Sequence, residues 1–202
     1  MVDLELAARL VAGGGVLLLP AETVYGLSGD ARRPDAAARI HQIKGSDPSK
    51  PLLALTDTWD RVARWVHAPD PVRRVWAVAT LGAITLVLPA TDACPAALAG
   101  ADGFVGIRRS ASPWVCDLVA KAGVPVFSTS ANPSGDPPPA RFEAVDPSIR
   151  RAVDLALDAG GELAGQPSTV ARFDPEASQF EILRPGPVTA EALREATGAA
   201  TR

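Results

Sequence analysis

The sequence predicts a single-domain α/β fold, a mixed sheet with helices packed on it, on three observations. Apolar residues at helical spacing alternate with short apolar runs that stop at Pro or at polar residues. A run of strands follows late in the chain, so the sheet is mixed, and α+β is the other arrangement this order allows. Finally, 202 residues that are 47% hydrophobic and 21% charged can bury one sizeable core, so residues 1–202 are taken as one domain.

From Asp3, a helix N-cap, Leu4, Ala7, Leu10 and Val11 recur at helical spacing until Gly13-Gly14-Gly15. Val16 to Leu19 reads as a buried strand ended by Pro20, with a glycine-flanked turn after it. Pro34 to Lys44 is a second helix, with Ala36, Ile40 and Ile43 on one face and Gly45 as its stop, and Leu52 to Leu55 is the next strand. Asp57 to His67 and Asp70 to Ala79 are expected as helices, with Trp59, Trp65 and Trp76 packing inward. Ala83 to Leu88, Phe104 to Arg108 and Val124 to Ser128 read as strands, the last two joined by a helix from Pro113 to Ala122 that stops at Gly123. The stretch Pro133-Ser134-Gly135-Asp136-Pro137-Pro138-Pro139 must be an exposed loop, a rim or a lid. Strands at Val153 to Leu157, Ser168 to Phe173 and Phe180 to Leu183 precede a closing helix from Ala190 to Thr197.

Composition narrows the function. The chain carries 20 Lys+Arg against 23 Asp+Glu, net −3, so whole-molecule charge cannot hold nucleic acid and a phosphate ligand must meet a local basic cluster. Cys94 and Cys116 are too few and too far apart for a disulfide framework or a zinc knuckle. His41 and His67 sit in expected helices without metal-ligand spacing. An acidic N-terminus and the lack of a long apolar run point to a cytoplasmic protein without a membrane span. Neither a P-loop nor a Rossmann fingerprint occurs.

Three segments place polar residues directly after an apolar run, where α/β sheets put their ligand crevice. The first runs from Leu19 to Asp30 and contains Glu22, Thr23 and Tyr25, the only tyrosine. The second, Ile43 to Leu52, holds two of the three lysines, Lys44 and Lys50. An ammonium suits a phosphate, although a lysine in a last helical turn equally complements the helix dipole. The third, Val126 to Gly135, has four hydroxyls and the single Asn132. It can coordinate a nucleotide or be ordinary turn chemistry.

Together with Gly106-Ile107-Arg108, Ser168-Thr169-Val170 and Arg184-Pro185-Gly186, these segments, in this order over residues 14 to 187, resemble the YrdC family, the threonylcarbamoyl-AMP synthases. The resemblance implies a twisted, open mixed sheet around a positively charged central cavity. It implies an L-threonylcarbamoyladenylate synthase, a nucleotidyltransferase acting on ATP, L-threonine and bicarbonate with Mg2+. Its product would pass to a separate complex that modifies tRNA. The chain is expected to be the short bacterial form, without a further C-terminal domain. The resemblance puts Lys44 near the phosphates as the catalytic cation, and Ser128, Ser130, Asn132 and Arg184 at the nucleotide. Thr23, Arg108 and Ser168 fall at the threonine end, with Arg108 on the threonine carboxylate or a phosphate. Metal ligands stay unassigned.

Two positions depart from the family pattern. Ser46 stands where an arginine is usual two residues after Lys44, and Ala21 replaces a threonine. Lys50 is expected to reach the volume of the absent guanidinium. The alternatives are a relative with altered or lost activity that binds RNA, weakly at net −3, and a carbamoyl-adenylate enzyme with another acceptor.

Overall fold

The computed structural model describes residues 3–77 and 83–202. Ten strands form one open mixed sheet in the order β10-β9-β8-β4-β5-β3-β6-β2-β1-β7. They are β1 (Leu17–Pro20), β2 (Tyr25–Asp30), β3 (Leu53–Thr56), β4 (Ile84–Pro89), β5 (Phe104–Arg109), β6 (Val126–Ser130), β7 (Leu155–Ala156), β8 (Thr169–Asp174), β9 (Gln179–Arg184) and β10 (Ala200–Thr201). The helices are α1 (Leu4–Ala12), α2 (Pro34–Lys44), α3 (Asp70–Ala77), α4 (Pro113–Ala122), α5 (Pro147–Ala152) and α6 (Ala190–Thr197). The α/β mixed-sheet expectation holds.

Local chemistry explains most helix ends. Asp3 accepts from the Glu5 and Leu6 amides at the start of α1, and Ser112 and Thr189 cap α4 and α6 in the same way. Gly45, Gly123 and Gly198 end α2, α4 and α6 in the left-handed conformation.

Apolar side chains cover the two sheet faces unequally. On one face α1 and α4 pack Ala7, Val11, Val115, Leu118 and Val119 against Leu17, Leu55 and Val126. The other face is the larger core, where Ile40, Val72, Trp76 and Leu193 meet Leu27, Ala54, Leu86, Ile107 and Phe127. Trp65 is buried there too, and Trp59 packs edge-on against Trp76 with ring centroids 5.2 Å apart.

Four expectations need correction. The turn after Pro20 is short, and Tyr25–Asp30 is a fully buried strand between β1 and β6. Its glycines hid it. A Cβ at Gly29 would lie 3.0 Å from the Phe127 ring and one at Gly26 3.1 Å from Ser128 Oγ, so neighbours have filled the side-chain space. Asp57 to His67 is not a helix: it holds one 3-10 turn, Ala63–Trp65, and Val66 then bridges Ala90. The strand expected at Val153 to Leu157 shrinks to β7, after the unanticipated α5. The strand expected at Val124 to Ser128 starts and ends two residues later, so Thr129 and Ser130 are still paired to β2. Residues 78 and 79 of the helix expected from Asp70 to Ala79 lie outside the described residues.

Candidate active site

Strand alternation decides what faces the cavity. Successive side chains point to opposite faces of a sheet. Leu86, Val105, Ile107 and Phe127 go to the larger core. Thr85, Val87, Gly106, Arg108, Ser128 and Ser130 therefore face the other way, where α1 and α4 leave the sheet uncovered, and line a cavity of about 410 Å³. Ala21 and Thr23 reach it from the β1–β2 turn, Ser168 from just before β8, and Arg184 from the end of β9. Six residues expected from the sequence, Thr23, Arg108, Ser128, Ser130, Ser168 and Arg184, thus share one cavity. Pro138 lines it as well, so the proline loop forms part of its rim.

Arg108 is buried at the end of β5. Its Nη2 donates to Glu22 Oε1 and, over 3.0 Å, to Thr23 Oγ1, while Ser110 Oγ donates to the second Glu22 oxygen at 2.7 Å. Burial alone would raise the Glu22 pKa. The Arg108 charge and the bonds from Arg108 and Ser110 outweigh it and hold the carboxyl below its ordinary range. Arg108 Nε is buried and has no partner, so this guanidinium keeps a donor in reserve.

Arg184 is fixed differently. Its Nε and Nη2 donate to the Ser168 carbonyl at 3.2 and 2.9 Å, and Ser168 Oγ shares a 2.9 Å bond with Thr85 Oγ1. Burial, then the Arg108 charge, lowers the Arg184 pKa. The two guanidinium groups are near enough to repel, and an anion between them relieves that repulsion. Gly186 makes the arrangement fit: a Cβ there would stand 2.3 Å from the Thr169 nitrogen and 2.7 Å from the Ser168 carbonyl carbon.

Lys44 and Asn132 adjoin the cavity without lining it. Lys44 is buried at the end of α2, and its Nζ donates to the Ser130 carbonyl and, at 2.7 Å, to the Asn132 carbonyl. That leaves the ammonium one further N–H. Burial, helped by the charge of Lys50, lowers its pKa to about 8. Asn132 Nδ2 donates to the Pro133 and Asp136 carbonyls, 2.8 Å each, and its buried Oδ1 has no partner. Lys50 is exposed and lines a neighbouring cavity rather than this one, while its charge still acts on Lys44. Ser46, at that arginine position, bonds His41 Nδ1 at 2.8 Å.

Sequence reasoning passed over Glu22, Ser110, Thr85 and Gly186 as site residues. Glu22 was visible as an acid after a strand-ending proline, but its partner lies 86 positions away, which one sequence cannot reveal. Tyr25 belongs to the scaffold: its hydroxyl accepts from the Ala159 amide at 3.0 Å, and its ring meets Phe142 edge-on.

Comparison with known proteins identifies the family. The family model described as Telomere recombination, that of Sua5, YciO and YrdC, matches residues 9–186. This chain belongs to the Sua5/YciO/YrdC family. Among curated family members, a threonylcarbamoyl-AMP synthase of Xanthomonas euvesicatoria is 33% identical over 186 residues, covering 91% of this chain and 97% of that protein. A second, from Xanthomonas campestris, is 34% identical over 187 residues, 90% of this chain and 97% of that one. The P. abyssi Sua5 structure complexed with L-threonine superposes with a TM-score of 0.88 at 27% identity, over 98% of this chain. This chain spans 58% of that Sua5 chain. The E. coli YciO structure, at 23% identity, a TM-score of 0.80 and coverage of 91% of this chain and 88% of its own, shares the fold. Among the described residues no helix is long and apolar enough to cross a membrane.

Proposed function

We propose that this chain is a threonylcarbamoyl-AMP synthase, a nucleotidyltransferase that joins L-threonine, bicarbonate and ATP into threonylcarbamoyl-adenylate with release of pyrophosphate. The observation that carries the reading is the pair Arg108 and Arg184 in one cavity with Thr23, Thr85, Ser128, Ser130 and Ser168. A triphosphate, a carbonate species and an amino-acid carboxylate are all anionic. Such a set of substrates needs fixed cations and hydroxyls more than it needs a dedicated base. Relatives of nearly equal length carrying this name support the same reading, as does the L-threonine complex of P. abyssi Sua5.

The assignment follows the charges. Arg108, held by Glu22 and Thr23, takes the threonine carboxylate, with Ser168 beside it. Ser128, Ser130 and Arg184 hold the nucleotide, and Lys44 uses its remaining N–H on a phosphate oxygen. The threonine amine attacks the carbon of carbon dioxide and loses a proton, forming a carbamate; from bicarbonate the same product forms as the C–O bond to its hydroxyl breaks and that hydroxyl leaves with the amine proton as water. A carbamate oxygen then attacks the α-phosphorus and the bond to pyrophosphate breaks. Product consumption by a tRNA-modifying complex belongs to the same proposal.

Mg2+ fits this site as a companion of the triphosphate rather than as a resident ion. Among the described residues no group of three His, Cys, Asp or Glu side chains could hold a metal. Asp102, which lines the cavity, is already engaged by the Phe104 amide at 3.2 Å and by Arg172 at 3.4 Å. Mg2+ commonly binds through substrate phosphates and retained waters, with one or two carboxylates at most.

The test is pyrophosphate release from ATP and Mg2+ with bicarbonate and L-threonine. Release should require all of them. Undiminished release when threonine or bicarbonate is omitted would overturn the proposal.

A further inference from the structure

A second cavity, of about 630 Å³, opens on the α2 side of the molecule. Among the described residues its ionisable lining consists of Arg32, His41, Lys50 and Arg64, with no carboxylate. That is one-sided for a chain in which acids outnumber Lys+Arg by 23 to 20. Arg32 is held by a two-pronged bond to the buried Asp30, with Nη2 2.7 Å from Oδ2. Lys50 and Arg64 are exposed and form no ion pair among the described residues. His41 is engaged by Ser46, and burial lowers its pKa, so it contributes a polar edge rather than a charge.

The remaining wall is apolar. Ala37 and Ala38 present one face of α2, and Trp65, Pro95, Ala97 and Pro125 close the other sides. Small-molecule sites combine such a wall with a few converging polar groups in volumes of roughly 300–1,000 Å³. Two unpaired cations and a third, anchored one at an apolar hollow match an anionic head on an apolar body. Inorganic phosphate would leave the alanine and proline wall uncovered, and a neutral nucleoside would leave Lys50 and Arg64 unpaired.

We propose that this cavity is a second ligand site, which takes a small organic phosphate the size of a nucleoside monophosphate. Its phosphate sits on Lys50, Arg64 and Arg32, and its body lies on the α2 wall. Pro51 lines both cavities, so the Gly45 to Pro51 loop that follows Lys44 is shared between them. A ligand here therefore contacts the same loop as the central site.

Titration of the isotope-labelled chain with AMP, followed by amide resonances, tests the proposal independently of the reaction proposed above. Saturable shifts are expected at Ala38, Ser49, Arg64 and Ala97, on an isotherm separate from that of Ser130 and Ser168. The exposed-site variant Arg64→Glu should weaken the first isotherm about tenfold or more and leave the second unchanged. Adenosine alone and inorganic phosphate alone should each bind the second cavity about tenfold more weakly than AMP. The proposal is overturned by any of three results: no saturable shift at those amides up to about 10 mM AMP, an isotherm that Arg64→Glu does not move, or equal binding of either fragment alone.

Discussion

Arg108 and Lys44 are cations of different kinds. Arg108 gives one nitrogen to Glu22 and Thr23 and keeps Nε free, which only a guanidinium fork can do. Arg108→Lys should therefore lower kcat/KM for threonine by roughly 10- to 100-fold. A KM rise confined to ATP would instead place Arg108 on a phosphate, the other role the sequence allowed. Lys44 holds two carbonyls inside the protein, and burial lowers its pKa from an ordinary 10.5 to about 8. Below pH 8 the folded and unfolded chains both carry this proton, and the cost of burying the charge is fully present. Between about pH 8 and 10.5 only the unfolded chain keeps it, so this group makes folding stability rise with pH across that window. Urea unfolding of wild type and Lys44→Met near both ends of the window should show the rise in wild type alone. A bound triphosphate acts in the opposite direction and holds the proton on Lys44. ATP affinity should accordingly fall as pH rises through about 8 in wild type.

At the scale of elements, the site depends on how closely backbones approach. The Arg184-Pro185-Gly186 turn lies on Ser168 and Thr169, and the Gly186 position has no room for a methyl group. Gly186→Ala should cost about 2–4 kcal/mol of stability in thermal or urea unfolding, and raise the KM for ATP by displacing Arg184. Tyr25→Phe removes the acceptor of the Ala159 amide and should cost about 1–2 kcal/mol while leaving the ATP KM unchanged, because the hydroxyl points to the loop after β7. Legibility in the sequence follows the same division between local and distant causes. Caps and stops such as Asp3, Gly45 and Gly123 announce helices because their chemistry is local. The strand Tyr25–Asp30 was hidden because its glycines are set by Phe127 and Ser128, about a hundred positions away. The segment from Asp57 to His67 has helical spacing, but Val66 leaves it to bridge Ala90. β7 and β10 are two-residue pairings at opposite edges of the sheet, too short to leave a pattern. Six cavity residues were readable because each lies in or beside an apolar strand. Glu22 was not, because its role depends on the pairing with Arg108.

For the whole molecule, the question is whether two cores make one cooperative unit. The smaller core under α1 and α4 shares β1, β3 and β6 with the larger core on the opposite face, to which β4, β5, β8 and β9 also contribute. Each takes alternate residues from the same sheet, as with Leu55 and Ala54 on β3 or Val126 and Phe127 on β6. Losing either core would expose one face of strands that the other still needs, so neither should persist alone. The tryptophans divide conveniently: Trp114 packs against the smaller core, while Trp59, Trp65 and Trp76 belong to the larger. In urea, the fluorescence of a Trp114→Phe variant reports the larger core, and that of a triple Trp59, Trp65 and Trp76→Phe variant reports the smaller. Each fluorescence curve should coincide with the far-UV circular dichroism of the same variant, with one midpoint and one slope. Separate transitions within either variant would mean that the α1–α4 layer folds on its own. The cavity would then lie beside a boundary between units, since β6, the strand that carries Ser128, supplies residues to both layers.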